Sequence, residues 1–308
     1  MPGSKERYTE FCQTTYVPLH LQPWWLDAVC QPGGWEAAYA CNAHGAGVLP
    51  YCRRGLPLIQ QPALTAYGGP WWHLAGGLPP YKRLAIEHRL LAGLIVQLPR
   101  VFFFHQTFRP EIRNILPFYW AGFQQTVRYT YMLPATGNLA GLYAGLKNTL
   151  RTDLRHAEQG LELAPADDAG IFFQLNKQSY ARKGLRQPFT PEAFDRLHAA
   201  LRLRGQAAGF VAVDRRSRIP QAGLFLAFDD RQASVLLAGL DPASRNPGAL
   251  HSLYWQAIRF CSERGLALDF EGSMEPGIER VFRAFGGQLT PYFRVWRMGN
   301  KWLNALYR

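Results

Sequence analysis

Alternating helical and strand-like periodicities divide this sequence into two halves. The first half predicts a helix, a hairpin, a helix, a strand, a short helix and a strand, over residues 20–30, 35–54, 83–97, 101–105, 112–123 and 126–133. The second half predicts three helices, three strands of a meander and a further helix, over residues 139–159, 171–184, 191–205, 209–214, 219–230, 233–241 and 244–265. Pro, Gly and Asn punctuate residues 134–138. We therefore expect two α/β (α+β) domains, 1–135 and 136–308.

The stretch 266–293 completes the second half as a strand, a turn, a short amphipathic helix and a closing strand. Side chains alternate along a strand, so Asp269 and Glu271 are expected side by side on one face at its end. Adjacent acids raise each other's pKa, which suits a general base. A solvated strand end is the alternative, as is a salt bridge from Arg283 to Glu271. Spacing alone leaves these alternatives open.

A second candidate lies where a strand leads into a helix. Asn246 is a natural N-cap, Gly248 and Ala249 leave the first amides uncovered, and Arg245 adds a positive charge. Free amides at the positive end of a helix dipole suit a pyrophosphate. The motif is weak alone, because many helices begin in this way.

A third candidate is a polar and basic cluster at the end of a predicted helix. Tyr180, Arg182 and Lys183 precede Gly184 there. Cations at a helix C-terminus complement its dipole, which is the structural interpretation. Contact with an anionic substrate is the functional one.

Net charge, cysteine count and the distribution of apolar residues limit the kinds of partner and cellular location that we expect. The formal charge is +12, divided equally between residues 1–150 and 151–308, which favours a phosphate-bearing or polyanionic partner or simple solubility. Five cysteines without a C-x-x-C pair predict neither a disulfide scaffold nor a zinc site, and hence a reducing compartment. The first residues lack an apolar signal region, and no 18-residue apolar run occurs. We therefore expect a cytoplasmic protein without membrane insertion.

The order of elements, with several local motifs, resembles the GNAT acyltransferase fold used twice, as in the FemABX peptidyltransferases and their shorter bacterial relatives. The resemblance rests on the meander that leads into 245–249, on LDFEGSM, on GIERVFRAFGG, on the closing strand around Tyr292, and on RYTYML and QPWWLDAV. It implies tandem GNAT-like domains, each a mixed, mostly antiparallel sheet flanked by helices. The chain departs from the family by lacking the long coiled-coil insertion of some members and the full glycine-rich turn of acetyl-CoA-binding GNATs.

The resemblance implies transfer of an acyl or aminoacyl group from acyl-CoA or aminoacyl-tRNA to a small-molecule or peptide amine, in cell-envelope metabolism and without a metal. It assigns Glu271, helped by Asp269, as base or acceptor anchor. Donor phosphate would bind at Arg245, Asn246, Gly248 and Ala249, and the substrate would contact Tyr180, Arg182, Lys183 and Tyr292.

Three other functions stay open. A non-catalytic protein that binds RNA or another ligand is compatible with the charge, although no run of cations interleaved with aromatics occurs. A glycosidase is disfavoured because the two acids lie too close in sequence. The third is a catalytically silent relative of the acyltransferases, in which the first half is a scaffold and the second half only binds a ligand. The duplicated halves need no partner to complete a sheet, which is compatible with a monomer.

Overall fold

The computed structural model describes residues 3–30, 34–53, 58–244, 246, 248–272 and 274–299. In these ranges the helices are α1 (Ser4–Thr14), α2 (Pro23–Val29), α3 (Pro80–Val96), α4 (Leu116–Trp120), α5 (Leu139–Gly145), α6 (Asn148–Gly160), α7 (Ala169–Arg182), α8 (Pro191–Leu203), α9 (Ala249–Arg264) and α10 (Pro276–Ala284). The strands are β1 (Trp35–Asn42), β2 (Gly45–Cys52), β3 (Leu58–Gln60), β4 (Trp71–Leu74), β5 (Phe103–Thr107), β6 (Gln124–Leu133), β7 (Leu161–Pro165), β8 (Ala207–Asp214), β9 (Pro220–Phe228), β10 (Gln232–Leu240), β11 (Ala267–Asp269) and β12 (Gln288–Met298).

The chain forms two compact units, and the boundaries differ from the expected ones. The first unit runs to Arg128 and takes up the chain again at Pro291, while the second is Tyr129–Thr290. Domains of 1–135 and 136–308 would place all of β12 in the second half. Residues 294–298 instead pair with β5 in the first unit. Pro and Gly mark local turns, but they carry no information about which distant strand a segment joins.

In the first unit, β1, β2 and β4 form an antiparallel sheet. A second group pairs β3 parallel to β5, and β5 antiparallel to the end of β12. Helix α3 packs on β1 and β2 with the apolar face that Leu91 and Leu94 share, as the helical pattern predicts.

A disulfide joins Cys30 to Cys52 in the first unit. The cysteine pattern predicted no disulfide scaffold and did not indicate this single bridge. Cys30 follows α2 and Cys52 ends β2, so their proximity depends on tertiary packing that the cysteine spacing does not reveal.

The second unit has one mixed, mostly antiparallel sheet, as expected. Its order is β6, β11, β10, β9, β8 and β7, in which only β10 and β11 are parallel. Helices α6 and α9 pack together, and α9 also packs on β9, while α7 packs on β10. The one helix expected over 139–159 is two, because Leu146 and Lys147 adopt extended backbone between α5 and α6. Helix α1 and strand β7 were not predicted.

None of the helices in the described ranges is long and apolar enough to cross a lipid bilayer.

His105 on β5 sits among cations in the first unit. The Nε–H of Arg294 donates to Nε2 of His105 across 2.8 Å. Burial, followed by the charges of Arg294 and Arg128, lowers the pKa of His105 from 6.5 to about 4. The folded protein therefore holds this ring neutral where the unfolded chain would protonate it.

We predict that His105→Gln weakens the acid sensitivity of folding. Because the folded pKa lies below the unfolded one, His105 costs stability as pH falls from about 6.5 towards 4. Melting temperatures measured across this range should therefore fall less steeply in the variant. His44→Gln, at an exposed turn, is the control and should keep the wild-type slope. Equal slopes in wild type and His105→Gln would contradict the prediction.

Candidate active site

The two parallel strands of the second unit separate after a short ladder. They pair only from Gln232 with Ala267 to Ser234 with Asp269. β11 ends at Asp269, while β10 continues to Leu240 and has a register shift between Val235 and Leu237 where it pairs with β9. A bulge of this kind bends the strand. The chains on either side of the separation therefore diverge.

A cavity of about 330 Å³ opens at this separation, and we call it the inter-strand cavity. Val235, Leu236 and Phe270 contribute apolar lining. Polar lining comes from β10's neighbour α7, from the turn after β11, and from the start of α10: Asn176, Ser179, Tyr180, Lys183, Glu271 and Glu275. A cavity with apolar walls and several converging polar groups is a usual form of ligand site.

Asp269 lies beneath this cavity and does not line it. Its side chain is fully buried, and Oδ1 accepts hydrogen bonds from Oγ1 of Thr130 at 2.6 Å and from the backbone N–H of Glu271 at 2.8 Å. A buried carboxylate is stable only when such donors compensate its lost hydration. Asp269 therefore ties the turn after β11 to strand β6.

Glu271 follows the strand instead of extending it. Its φ is +53°, and that of Gly272 is +38°, both in the left-handed region. A Cβ at Gly272 would lie 2.6 Å from the carbonyl oxygen of Tyr129, so only glycine fits here. The expected pair of carboxylates side by side on one strand face is wrong, because the strand ends at Asp269. Glu271 alone reaches the inter-strand cavity.

The basic cluster at the end of α7 is divided. Tyr180 and Lys183 line the inter-strand cavity with Glu271, whereas Arg182 is exposed and outside the lining. Nζ of Lys183 donates to Oε2 of Glu275 at 2.6 Å. Burial, followed by the charge of Glu275, raises the pKa of Tyr180, so its hydroxyl stays protonated at neutral pH.

Two residues missed in the sequence, Asn176 and Ser179, attach α7 to β10. Nδ2 of Asn176 donates to the carbonyl of Ala238 at 2.9 Å, and Oγ of Ser179 accepts from the N–H of Leu240 at 2.9 Å. Both backbone groups lie beyond the last residue of β10 that pairs with β11. Two polar residues three apart in a helix with buried Phe172, Phe173 and Leu175 were the available signal.

The start of α9 is packed rather than open. Gly248 and Ala249 are buried, and a Cβ at Gly248 would meet the carbonyl oxygen of Asp153 on α6 at 2.3 Å. The N–H of Gly248 donates to Oδ1 of Asn246, and that of Ala249 to the Asn246 carbonyl. Arg245 lies outside the described residues.

Asn246 also lines a second cavity, of about 660 Å³, together with Asp153 and Asp214. Carboxylates there oppose a phosphate, and the two amides are already used. The described residues of this turn therefore fit a pyrophosphate poorly.

Two further expectations concern Tyr292 and Arg283. Tyr292 belongs to the first unit, where its ring meets that of Tyr67 edge-on at 5.4 Å.

Nε of Arg283 donates to Oε1 of Glu279 at 2.8 Å, and the hydroxyl of Tyr131 donates to the same oxygen at 2.6 Å. The alternative salt bridge from Arg283 to Glu271 is therefore not formed. Within the described ranges, no group of three or more His, Cys, Asp or Glu residues could hold a metal ion.

Comparison with known proteins identifies the fold of the chain. Residues 144–277 match the sequence model of the acetyltransferase (GNAT) domain. The crystal structure of FemX aligns over 99% of this chain and 98% of its own, with a TM-score of 0.69 and 14% identity. Residues 144–277 are therefore a GNAT domain, and the chain shares its fold with FemX. The resemblance noted in the sequence is thereby confirmed, together with the α/β GNAT-like fold class.

Two other solved structures are similar to this chain. L-PGS from Bacillus licheniformis has a TM-score of 0.57 and 10% identity, over 100% of this chain and 97% of its own. The C-terminal domain of a putative lysylphosphatidylglycerol synthetase from Agrobacterium fabrum has a TM-score of 0.56 and 14% identity, over 99% and 94%. At these identities the likeness concerns the fold. No curated protein matches the sequence significantly.

We predict that Thr130→Val destabilises the second unit. The substitution removes a donor from the buried Asp269 carboxylate, which should cost about 1–3 kcal/mol in the free energy of unfolding. Chemical denaturation measures this loss. Thr9→Val on α1 removes a hydroxyl whose hydrogen bond to the carbonyl of Lys5 is exposed, and should change stability little. Similar losses in both variants would mean that Asp269 does not depend on Thr130.

Proposed function

We propose that this chain transfers an acyl or aminoacyl group from an activated donor to an amine acceptor. The observation that carries the proposal is the inter-strand cavity, where Glu271, Lys183 and Tyr180 converge at the separation of two parallel strands. The GNAT domain match and the FemX fold support the same reaction class.

The charge of the inter-strand cavity supports an amine as acceptor. Lys183 and Glu275 form an ion pair and compensate each other. With Glu271 the lining therefore carries one formal negative charge, which favours a cationic ammonium group. The volume of about 330 Å³ suits a small amine or the side chain of a peptide.

The reaction needs a neutral amine, a positioned carbonyl and a stabilised oxyanion. The donor supplies an activated thioester or ester carbonyl. Glu271 takes one proton from the ammonium group, and the freed lone pair forms the amide bond as the bond to sulfur or oxygen breaks. The leaving thiolate or alkoxide takes up the second proton of the former ammonium group. Tyr180 and Lys183 contact the acceptor. Asp269 acts as a positioning residue, because it holds the backbone of Glu271 without reaching the inter-strand cavity.

Between the two donors, the helix start at α9 favours aminoacyl-tRNA over acyl-CoA. The amides of Gly248 and Ala249 already donate within the turn, and Asp153 and Asp214 lie beside Asn246. A donor phosphate at Arg245, Asn246, Gly248 and Ala249 stays a prediction for the acyl-CoA alternative. The formal charge of +12 suits a polyanionic tRNA. Both donors are cytoplasmic, so the proposal places the protein there, with a role in the bacterial cell envelope.

Thermal shift measurements with acetyl-CoA and with bulk charged tRNA, at one fixed salt concentration, separate the donors. A ligand at about 100 times its dissociation constant adds roughly 2.7 kcal/mol of stability, which is a shift of several degrees. We expect a shift with charged tRNA that uncharged tRNA reproduces only in part. A shift with acetyl-CoA alone would identify an acyl-CoA transferase. No shift of the melting temperature with either ligand would contradict the proposal.

We predict that Glu271→Gln lowers kcat by about 10²–10⁴, because an amide cannot take the proton from the acceptor. Single-turnover transfer to a panel of amines measures the effect, and an unchanged melting temperature shows that the fold is intact. Glu263→Gln, at the end of α9 and outside the inter-strand cavity, is the control. Turnover within a few-fold of wild type in Glu271→Gln would reject Glu271 as the base.

A further inference from the structure

The first unit exposes a contiguous group of large apolar side chains on α3 and α4. Each is between 46% and 70% exposed. We call this group the aromatic patch: Tyr81, Leu84, Leu116, Tyr119 and Trp120. Monomeric proteins seldom expose several large apolar side chains together unless the surface binds something.

Helical spacing and packing make the patch continuous. Tyr81, Leu84 and His88 lie at i, i+3 and i+7 on one face of α3, and α4 packs against that helix. The rings of His88 and Trp120 meet edge-on at 5.1 Å. Leu84 and Leu116 line one cavity of about 790 Å³ that lies beside the patch.

The cations around the patch are not matched by acids. Residues 80–120 contain six Lys and Arg against two acids, Glu87 and Glu111. Both acids are already paired, Glu87 with Arg83 at 3.4 Å and Glu111 with Arg109 at 3.0 Å.

Three cations at or beside the patch are left over. Lys82 and Arg89 follow Tyr81 and His88 directly on α3, and Arg113 lines the cavity of about 790 Å³. Over the described part of the chain, these three form no ion pair within 4 Å. The surface therefore presents Tyr, Trp and Leu bordered by uncompensated positive charge.

We propose that the aromatic patch docks this protein on the surface of an anionic phospholipid bilayer. Tyr and Trp rings prefer the polar–apolar interface of a bilayer, where one edge is apolar and the other hydrated. Lys and Arg beside them contact anionic headgroups, at about 1 kcal/mol for each cation near the surface. The protein lies on the membrane in this arrangement and does not span it. This inference does not rest on the proposed transfer reaction.

Vesicle binding of the full chain tests the docking surface. We expect binding to vesicles of phosphatidylcholine with roughly one third phosphatidylglycerol, and little binding to phosphatidylcholine alone. Tyr119→Ser combined with Trp120→Ser should weaken binding by about tenfold or more, because the inserted apolar area is lost. Lys82→Gln and Arg113→Gln should each weaken it about fivefold, which is 1 kcal/mol converted to an affinity ratio. Leu203→Ser combined with Ile219→Ser, at exposed positions of the second unit, is the matched control and should bind as wild type.

Fluorescence separates insertion from simple charge attraction. Brominated lipids should quench wild type more than Trp120→Phe, because the ring of Trp120 enters the interface. Absence of vesicle binding would overturn the proposal, and so would full binding by the Tyr119/Trp120 double variant. A third outcome would also overturn the proposal: the wild type forms a dimer, the double variant does not, and neither binds lipid. The aromatic patch would then bind a second copy of the chain.

Discussion

The arrangement of the second unit depends on one buried carboxyl group. The carboxylate of Asp269 has no contact with solvent, and its Oδ1 accepts from the hydroxyl of Thr130 and from the N–H of Glu271. A buried carboxyl group is tolerable only where fixed donors meet its oxygens, so these contacts define the position of the turn. Left-handed backbone at a non-glycine residue costs of order 1 kcal/mol and persists where its surroundings determine it. The hydrogen bond from the N–H of Glu271 to Asp269 holds Glu271 in this conformation.

The separation of β10 from β11 creates a second requirement. A strand that loses its neighbour leaves backbone groups without partners, and burial of such groups is costly. Asn176 and Ser179 meet this requirement by bonding the carbonyl of Ala238 and the N–H of Leu240. The sheet can therefore remain open beside the inter-strand cavity without unfolding. The proposed chemistry lies at this point because the fold keeps a gap there and lines it with polar groups.

The sequence predicted the parts of the site that depend on local periodicity. Leu266, Leu268 and Phe270 are buried as the alternation indicates, and Tyr180 and Lys183 share one helix end. The sequence prediction failed where β11 ends early. Alternation placed Asp269 and Glu271 on one strand face, whereas the hydrogen bond from the N–H of Glu271 to Asp269 turns the chain after Asp269. Pairings between distant segments, such as Cys30 with Cys52 or β5 with β12, leave no local pattern. Most of the fold class could therefore be predicted, but only part of the site.

Small residues determine how closely helices pack on the sheet and at the start of α9. In the sequence, Gly248 indicates room for a phosphate, yet its missing Cβ makes room for the backbone of α6. Gly239 serves α7 in the same way, since a Cβ there would lie 2.3 Å from the carbonyl carbon of Leu175. That close approach brings α7 near enough for Asn176 and Ser179, which are short side chains, to reach the backbone of β10. A glycine in the middle of a strand thus determines whether its open edge is satisfied, and through that edge whether the inter-strand cavity exists.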